Sequence, residues 1–228
     1  MNISIFEALG PIMIGPSSSH TAGAAKLSRI AALLVDFKFS HVSFGLHGSF
    51  AKTHKGHGTD LALVAGICSI YEDDEKLSNS FEIAKKLNIT YDFYQIELED
   101  VHENSVLMTF SDNKNNKINI IGSSIGGGQI KVVKINSYET DISAKTYTLI
   151  LMQKDKPGII SEISKVLSNF KINIATMKLS RTDKGKDACC IIETDTDVSA
   201  TTIEKLKNIK YITNVCYINP FEKKVTKE

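Results

Sequence analysis

The sequence predicts an α/β (α+β) protein of two domains, a mixed α/β domain followed by a smaller domain of alternating strands and helices. Its 228 residues are sufficient for two domains, and the 42% hydrophobic fraction is enough for ordinary cores. Apolar residues recur with the periods of both helices and strands. A polar stretch at 140–145, between two apolar segments, marks the predicted boundary.

The first predicted domain covers residues 1–142. A turn leads into its first helix, and Ser18 or Ser19 is expected to cap that helix because a hydroxyl can accept a free backbone N–H. Apolar periodicity predicts the other elements. They are the body of this helix to residue 35, a strand over 42–46, a glycine- and histidine-rich loop over 48–58, helices over 59–70 and 80–87, and strands near 91–98, 105–110, 117–121 and 129–135.

The second predicted domain covers residues 147–220, and residues 221–228 form a charged tail. Its element order is βαββαβ, the ferredoxin-like split βαβ pattern. Lys156-Pro157-Gly158 is expected to start its first helix. The predicted elements are strands over 147–152, 172–179, 188–194 and 211–218 and helices over 156–170 and 199–208.

Charge and composition favour a protein without nucleic-acid or membrane partners. The formal net charge is +1, from 27 basic and 26 acidic residues, so charge gives no reason to expect either partner. No apolar run approaches the roughly 18 residues of a membrane span, and the first residues show no secretion signal. We therefore expect a cytoplasmic location.

The four cysteines are Cys68, Cys189, Cys190 and Cys216, and none forms a C-x-x-C pair. Their neighbours are apolar, which favours reduced thiols in the core. This spacing is not typical of an iron–sulfur or zinc site, so we expect no metal site on this chain.

The first candidate for chemistry is the loop from Gly15 to Thr21. Ser17, Ser18, Ser19, His20 and Thr21 place hydroxyls and an imidazole where a helix begins. Free N–H groups and the positive end of the helix dipole favour an anion there, such as a carboxylate. A capped helix with a half-exposed histidine is the alternative.

The second candidate is the segment His54-Lys55-Gly56-His57-Gly58-Thr59-Asp60. The glycines beside His57 leave its ring unshielded, and imidazole is the usual general base. His54 and His57 have the spacing of two zinc ligands, but no third ligand is evident. A flexible surface loop is the remaining alternative.

The third candidate is the glycine run Gly126-Gly127-Gly128 that follows Ser124-Ile125. Its N–H groups fit an anion-binding nest, although a bulged strand or bend is the commoner meaning of glycine in a strand. It matches neither G-x-G-x-x-G nor a P-loop. A Ser–His hydrolase is disfavoured because the chain has no G-x-S-x-G elbow and no acidic partner is evident.

Taken together, these motifs resemble the β-domain of the iron–sulfur L-serine dehydratases. The resemblance rests on Ile14 to Gly23, Gly48-Ser49, Lys55 to Asp60 and Ser124 to Gly128, in that order. The same domain is similar to the allosteric substrate-binding domain of some phosphoglycerate dehydrogenases. Residues 147–220 resemble an ACT domain, with Asp155 to Ile159 and Ile172 to Ala175 as its turn and strand.

The resemblance implies a two-subunit enzyme that converts L-serine to pyruvate and ammonia without pyridoxal phosphate. A [4Fe–4S] cluster on a separate α subunit would act as Lewis acid on the serine hydroxyl. His57 is implied as the base that removes the α-proton. The substrate or cluster pocket would be formed by Ser17, Ser18, Ser19, His20, Thr21, Gly126, Gly127 and Gly128.

For the ACT domain, the resemblance implies an amino-acid effector held by Asp155, Gly158 and Asn173. Pure dimerisation through the edges of the ACT sheets is the alternative for this domain. For the whole chain, the alternative is a non-catalytic amino-acid-binding module that controls a partner enzyme.

Overall fold

The computed structural model describes residues 14–221. The chain divides into two compact units between Ser143 and Ala144, and each is described by itself. Residues 1–13, at the start of the first predicted domain, and 222–228, most of the predicted charged tail, lie outside the described residues. In the part of the chain that is described, no helix is both long enough and apolar enough to cross a bilayer.

Over its described residues, 14–143, the first unit combines a sheet with four α-helices. Its strands are β1 (His41–Leu46), β2 (Thr90–Gln95), β3 (Ser105–Ser111), β4 (Lys117–Gly126), β5 (Gln129–Ile135) and β6 (Tyr138–Ile142). Its helices are α1 (Ala24–Leu33), α2 (Gly48–Thr53), α3 (Thr59–Ile67) and α4 (Ser80–Lys86), with a π-helical turn over Ser18–Gly23 and a 3₁₀ turn over Glu75–Asn79.

The six strands lie in the order β2-β1-β3-β4-β5-β6. Strands β1 and β2 are parallel, and every other neighbouring pair is antiparallel. Val42, Phe44 and Leu46 are buried along β1, as are Met108 and Phe110 along β3. Helix α1 packs against α3, and it also contacts β4. The mixed α/β architecture predicted for this part of the chain is confirmed.

The prediction of a continuous loop over 48–58 is wrong in its first half. Helix α2 occupies Gly48–Thr53, and the loop proper begins after it. The side chain of Phe50 is fully buried and anchors this short helix to the core. Glycine and histidine dominate the segment, so one apolar anchor gave too weak a periodic signal for a helix.

The first part of the predicted polar boundary at 140–145 belongs to a strand. Strand β6 (Tyr138–Ile142) pairs with β5 and buries Tyr138, Thr140 and Ile142, whereas Glu139 and Asp141 are exposed. The segment therefore alternates with the period of a strand that has one solvated face. Asp141 and its polar neighbours made residues 140–145 look like a linker.

The second unit, as far as residue 221, is a four-stranded antiparallel sheet with two helices. Its strands β7 to β10 lie in the order β10-β7-β9-β8. The βαββαβ order predicted from the sequence is confirmed. The elements are β7 (Tyr147–Lys154), α5 (Ile159–Asn169), β8 (Ile174–Arg181), β9 (Asp187–Thr194), α6 (Ala200–Lys207) and β10 (Ile212–Ile218).

The core of the second unit lies between its helices and one face of the sheet. Ile163 and Leu167 of α5 share this core with Leu149 and Leu151 of β7. Each of these four side chains is fully buried. The apolar side of α5 therefore faces the sheet, as the amphipathic spacing of its residues predicts.

Replacing Ile163 with alanine is expected to destabilise the second unit. The side chain is 0% exposed, so its loss leaves a cavity in the core, and we expect about 2–5 kcal/mol less free energy of unfolding. Urea denaturation followed by circular dichroism measures this. Ser168→Ala changes an exposed residue of the same helix and serves as the control. A cost below about 0.5 kcal/mol, typical of surface changes, would contradict the packing described.

Candidate active site

The first candidate motif forms a tight π-helical turn rather than a regular helix start. Ser17 precedes it in an extended conformation, and its hydroxyl accepts the backbone N–H of His20 at 3.1 Å. The backbone N–H groups of Thr21 and Ala22 both donate to the carbonyl of Ser17, at 3.0 and 3.3 Å. Ser18 and Ser19 are the first two residues of the turn and are half-buried. Such π turns are frequent at functional sites.

This turn directs the His20 ring towards helix α2. The ring atom Nε2 lies 3.0 Å from the hydroxyl of Ser49, and Nδ1 lies 3.5 Å from the hydroxyl of Ser17. The buried ring of Phe50 meets the imidazole edge-on, with 5.3 Å between ring centroids. Burial, and secondarily the charge of a protonated His57, lower the pKa of His20. His20 is therefore held as a neutral imidazole near pH 7.

The second candidate motif meets the first. The His57 ring is exposed, and its centroid lies 4.9 Å from that of His20 at an angle of 76°. The hydroxyl of Thr21 donates to the carbonyl of His57 at 3.0 Å, across 36 residues of sequence. Gly58 follows in a left-handed conformation with φ 66°, which starts α3 directly after the histidine. The two histidine-bearing loops thus share one surface.

The neighbouring His54 is held differently. Its Nδ1 lies 3.1 Å from the carbonyl of Ala51, and its ring stacks towards Phe93 with 6.3 Å between centroids. Among the described residues, no recorded contact joins it to His20 or His57. The zinc-like pairing of His54 with His57 has no support either, since no group of three potential ligands occurs in the described part of the chain.

The third candidate motif contacts the π turn through Ser124. This side chain is fully buried in β4, and a Cβ placed on Gly23 would lie only 2.0 Å from the Ser124 hydroxyl. Only a residue without a side chain allows the turn to approach the sheet this closely. Within residues 14–221 the Ser124 hydroxyl has no hydrogen-bond partner.

The glycine run itself is the turn of a β-hairpin. This agrees better with the predicted alternative of a bend than with an anion-binding nest. Gly126 pairs with Gln129, and Gly127 and Gly128 form the two-residue loop, with φ of 58° and 71°. Positive φ at both central positions is typical of a type I′ turn and explains the glycines. A Cβ placed on Gly126 or Gly127 would have no atom within 4 Å, so these two glycines face open space, whereas Gly128 is buried.

Two further segments of the site were missed by the sequence analysis. One is Ser49, which contacts His20 although its motif was noted only as part of a resemblance. The other is the acidic loop before β3. The carbonyl of Glu103 accepts the Ser49 N–H, and the carbonyl of Asn104 accepts the Ser124 N–H, both at 2.9 Å. A histidine in this loop, His102, was the available signal.

The thiols do not fit the ligation of a cluster by this chain. All four cysteines are free, and Cys189 and Cys190 are buried, whereas Cys68 and Cys216 are partly exposed rather than in the core. Burial raises the pKa of Cys68 and Cys190 to about 11 and that of Cys189 to about 12. Among the described residues, these thiols do not gather with other potential ligands into a group of three that could hold a metal ion.

The predicted effector residues of the second unit already have internal partners. The Asp155 carboxylate accepts the Gly185 N–H at 2.9 Å and pairs with Arg181 at 3.0 Å, which together hold its pKa below the usual value. The Asn173 amide donates to Asp195 at 2.6 Å. Gly158, with φ 91°, precedes α5 and is exposed.

Comparison with known proteins matches both units. The serine dehydratase beta chain family model matches residues 4–88, and the ACT domain model matches residues 146–210. The predicted ACT fold of the second unit is thereby confirmed. A D-3-phosphoglycerate dehydrogenase from Methanocaldococcus jannaschii is 28% identical over 90% of this chain and 39% of its own length, which supports the expected likeness of the first unit to those enzymes.

Two relatives match nearly end to end. The L-serine dehydratase beta chain of Peptoniphilus asaccharolyticus is 38% identical over 94% of this chain and 97% of its own. The probable L-serine dehydratase beta chain of Bacillus subtilis is 36% identical over the same shares, 94% and 97%. At this identity and coverage, the chain belongs to the family of L-serine dehydratase beta chains.

Proposed function

We propose that this chain is the β subunit of a heteromeric L-serine ammonia-lyase, and that it supplies the base for the reaction. The observation that carries the proposal is the pairing of His57 with His20. The exposed imidazole of His57 lies in edge contact with the imidazole of His20, whose two ring nitrogens face serine hydroxyls. The first two candidate motifs and Ser49 converge to build this arrangement, which is more than a flexible surface loop requires.

In this reaction His57 removes the α-proton of L-serine. The proton is weakly acidic, so the base must be exposed to substrate and well oriented. The ring of His57 is exposed, while its carbonyl is held by Thr21 and its N–H donates to the carbonyl of Thr53 at 3.1 Å. The base is thus accessible on a fixed backbone.

The substrate contacts lie around the π turn. Ser17, Ser18, Ser19, His20 and Thr21 form the pocket wall on the first motif. The N–H groups of Gly126, Gly127 and Gly128 are candidates for the substrate carboxylate, as their positive φ values are compatible with an N–H nest. Neutral His20 adds a ring beside the base without adding positive charge.

The remaining chemistry belongs to a partner in this proposal. The thiols of this chain do not fit a [4Fe–4S] cluster, so we assign the cluster to an α subunit, where it would supply the Lewis acid for the departing hydroxyl. Loss of water leaves an enamine, which tautomerises and hydrolyses to pyruvate and ammonia. The active site is then completed at the surface between the two chains, in the cytoplasm.

The second unit has a regulatory part in the proposal. An ACT domain fits an amino-acid effector at the start of α5, near Gly158, or pairing of two ACT sheets. Since Asp155 and Asn173 already have internal partners, an effector that uses them must exchange those hydrogen bonds. Such an exchange would couple effector binding to the hairpin between β8 and β9.

Anaerobic release of pyruvate from L-serine tests the proposed function. We expect turnover only when this chain is combined with the iron-loaded α subunit, and none from either chain alone. Activity of this chain without iron would contradict the proposal. Saturable L-serine binding without turnover, in a complex with an intact cluster, would instead support a non-catalytic amino-acid-binding module.

A further inference from the structure

We infer that Ser49 is a positioning residue for this reaction: its hydroxyl holds the orientation and tautomer of His20, which in turn orients the ring of His57. Its effect on turnover rests on the proposed function, whereas its effect on His20 is a property of this chain alone. The Oγ of Ser49 lies 3.0 Å from Nε2 of His20, 29 residues away in sequence.

Ser49 is itself held in place. Its N–H donates to the carbonyl of Glu103 at 2.9 Å, and its own carbonyl accepts the hydroxyl of Thr53 at 2.8 Å. The next residue, Phe50, is fully buried. With the backbone tied on both sides, only rotation about one side-chain bond is left to Ser49. Its hydroxyl is thus a defined contact for the imidazole rather than a chance surface neighbour.

The two hydroxyls around His20 constrain its single ring proton. A neutral imidazole has one N–H donor and one acceptor nitrogen, and a hydroxyl can satisfy either. Ser49 faces Nε2 at 3.0 Å, whereas Ser17 faces Nδ1 at the longer distance of 3.5 Å and already accepts the backbone N–H of His20. Ser49 therefore makes the closer contact and sets the balance between the two tautomers.

The orientation of His20 passes to His57 through direct contact. The two rings meet edge to face with centroids 4.9 Å apart, and the adjacent Thr21 donates to the His57 carbonyl. Without Ser49, the His20 ring can rotate and the surface against which His57 rests changes. Small displacements of a base are costly, since misplacement by about 1 Å can lower a rate up to about 100-fold.

The ring nitrogens of His20, observed by ¹⁵N NMR in the full-length chain labelled at histidine, test the first step. We expect Ser49→Ala to change the His20 tautomer populations and Ser49→Thr, which keeps a hydroxyl, to restore them. Ser43→Ala is the matched control. It removes a hydroxyl that donates to Asp92 at 2.7 Å, a partner of His41, so it perturbs another histidine network and should leave His20 unchanged.

The second step is tested in the complex with the α subunit. We expect Ser49→Ala to lower kcat about 10-fold with little change in KM, because orientation of the base rather than substrate binding is affected. Unchanged His20 nitrogens in Ser49→Ala would overturn the inference, as would altered nitrogens with full kcat. A wild-type complex without turnover would overturn the proposed function alone, and the NMR result would still decide whether Ser49 holds His20.

Discussion

Replacement of His57 by asparagine is expected to reduce kcat for L-serine by about 100- to 10,000-fold in the complex with the α subunit. Asparagine is polar and of similar size, but it cannot accept a proton. The backbone contacts of His57 to Thr21 and Thr53 do not depend on its side chain, so the loop should keep its conformation. Steady-state pyruvate formation under anaerobic conditions measures the loss.

The same loop offers a matched control in His54. Its ring contacts Ala51 and Phe93 rather than the His20 pair, so His54→Asn should retain kcat within a few-fold. Circular dichroism and co-purification with the α subunit would establish that both variants fold and assemble. Full activity in His57→Asn, or an equal loss in His54→Asn, would remove His57 from the proposed role.

The sequence predicts the architecture best where hydrophobic periods are regular. In the second unit, apolar strands and one strongly amphipathic helix identify the βαββαβ order without ambiguity, and Ile163 and Leu167 face the core as expected. In the first unit, the period is interrupted by glycine, histidine and carboxylates. Helix α2 and strand β6 were missed for this reason, because each depends on burial of a few side chains that only the tertiary fold provides.

For the candidate site, the sequence predicts which residue types are present better than it predicts their contacts. Motif chemistry was sufficient to select His20 and His57, which the structure brings together. It was not sufficient to assign a role to Ser49, which entered only through the Gly48-Ser49 resemblance and carries no periodic signal of its own. It selected His57 over His54 through the glycines beside His57 and the family resemblance, without any knowledge of the contacts that the two rings make. His57 meets His20 where the Thr21 hydroxyl holds the His57 carbonyl, a contact across 36 residues that the sequence did not reveal.

The glycine run illustrates how a correct residue pattern can have a different cause. Glycine at Gly127 and Gly128 follows from the positive φ of a tight hairpin turn, which needs no ligand. The glycine that allows the third motif to reach the site is Gly23 of the π turn, which packs against Ser124 of β4. The close approach of Gly23 to Ser124 joins two segments that are distant in sequence, so it could not be predicted from one sequence alone.

Gly23→Ala is expected to lower both the free energy of unfolding and the turnover of the assembled enzyme. Gly23 has helical dihedral angles, φ −63° and ψ −41°, so alanine would by itself stabilise the helix by roughly 0.5–1 kcal/mol. The new Cβ, however, would lie 2.0 Å from the Ser124 hydroxyl and 2.9 Å from its Cβ. Overpacking of this kind costs about 1–3 kcal/mol, so the clash decides the sign.

The loss of turnover follows because relief of the clash must move the π turn. That turn carries His20 and Thr21, and both contact His57, so its displacement disturbs the base directly. A double variant tests this cause. Ser124→Gly removes the atoms that clash, and we expect Gly23→Ala combined with Ser124→Gly to recover stability, with a coupling energy of about 0.5–3 kcal/mol.

Gly56→Ala provides the comparison for stability. A Cβ at Gly56 would meet only the Thr53 carbonyl, at an ordinary 3.7 Å, so urea denaturation should show a change within about 0.5 kcal/mol. If the two losses in free energy of unfolding were strictly additive in the double variant, Gly23 and Ser124 would not be energetically coupled. The position of the π turn would then depend on capping by Ser17 and not on its packing against Ser124 of β4.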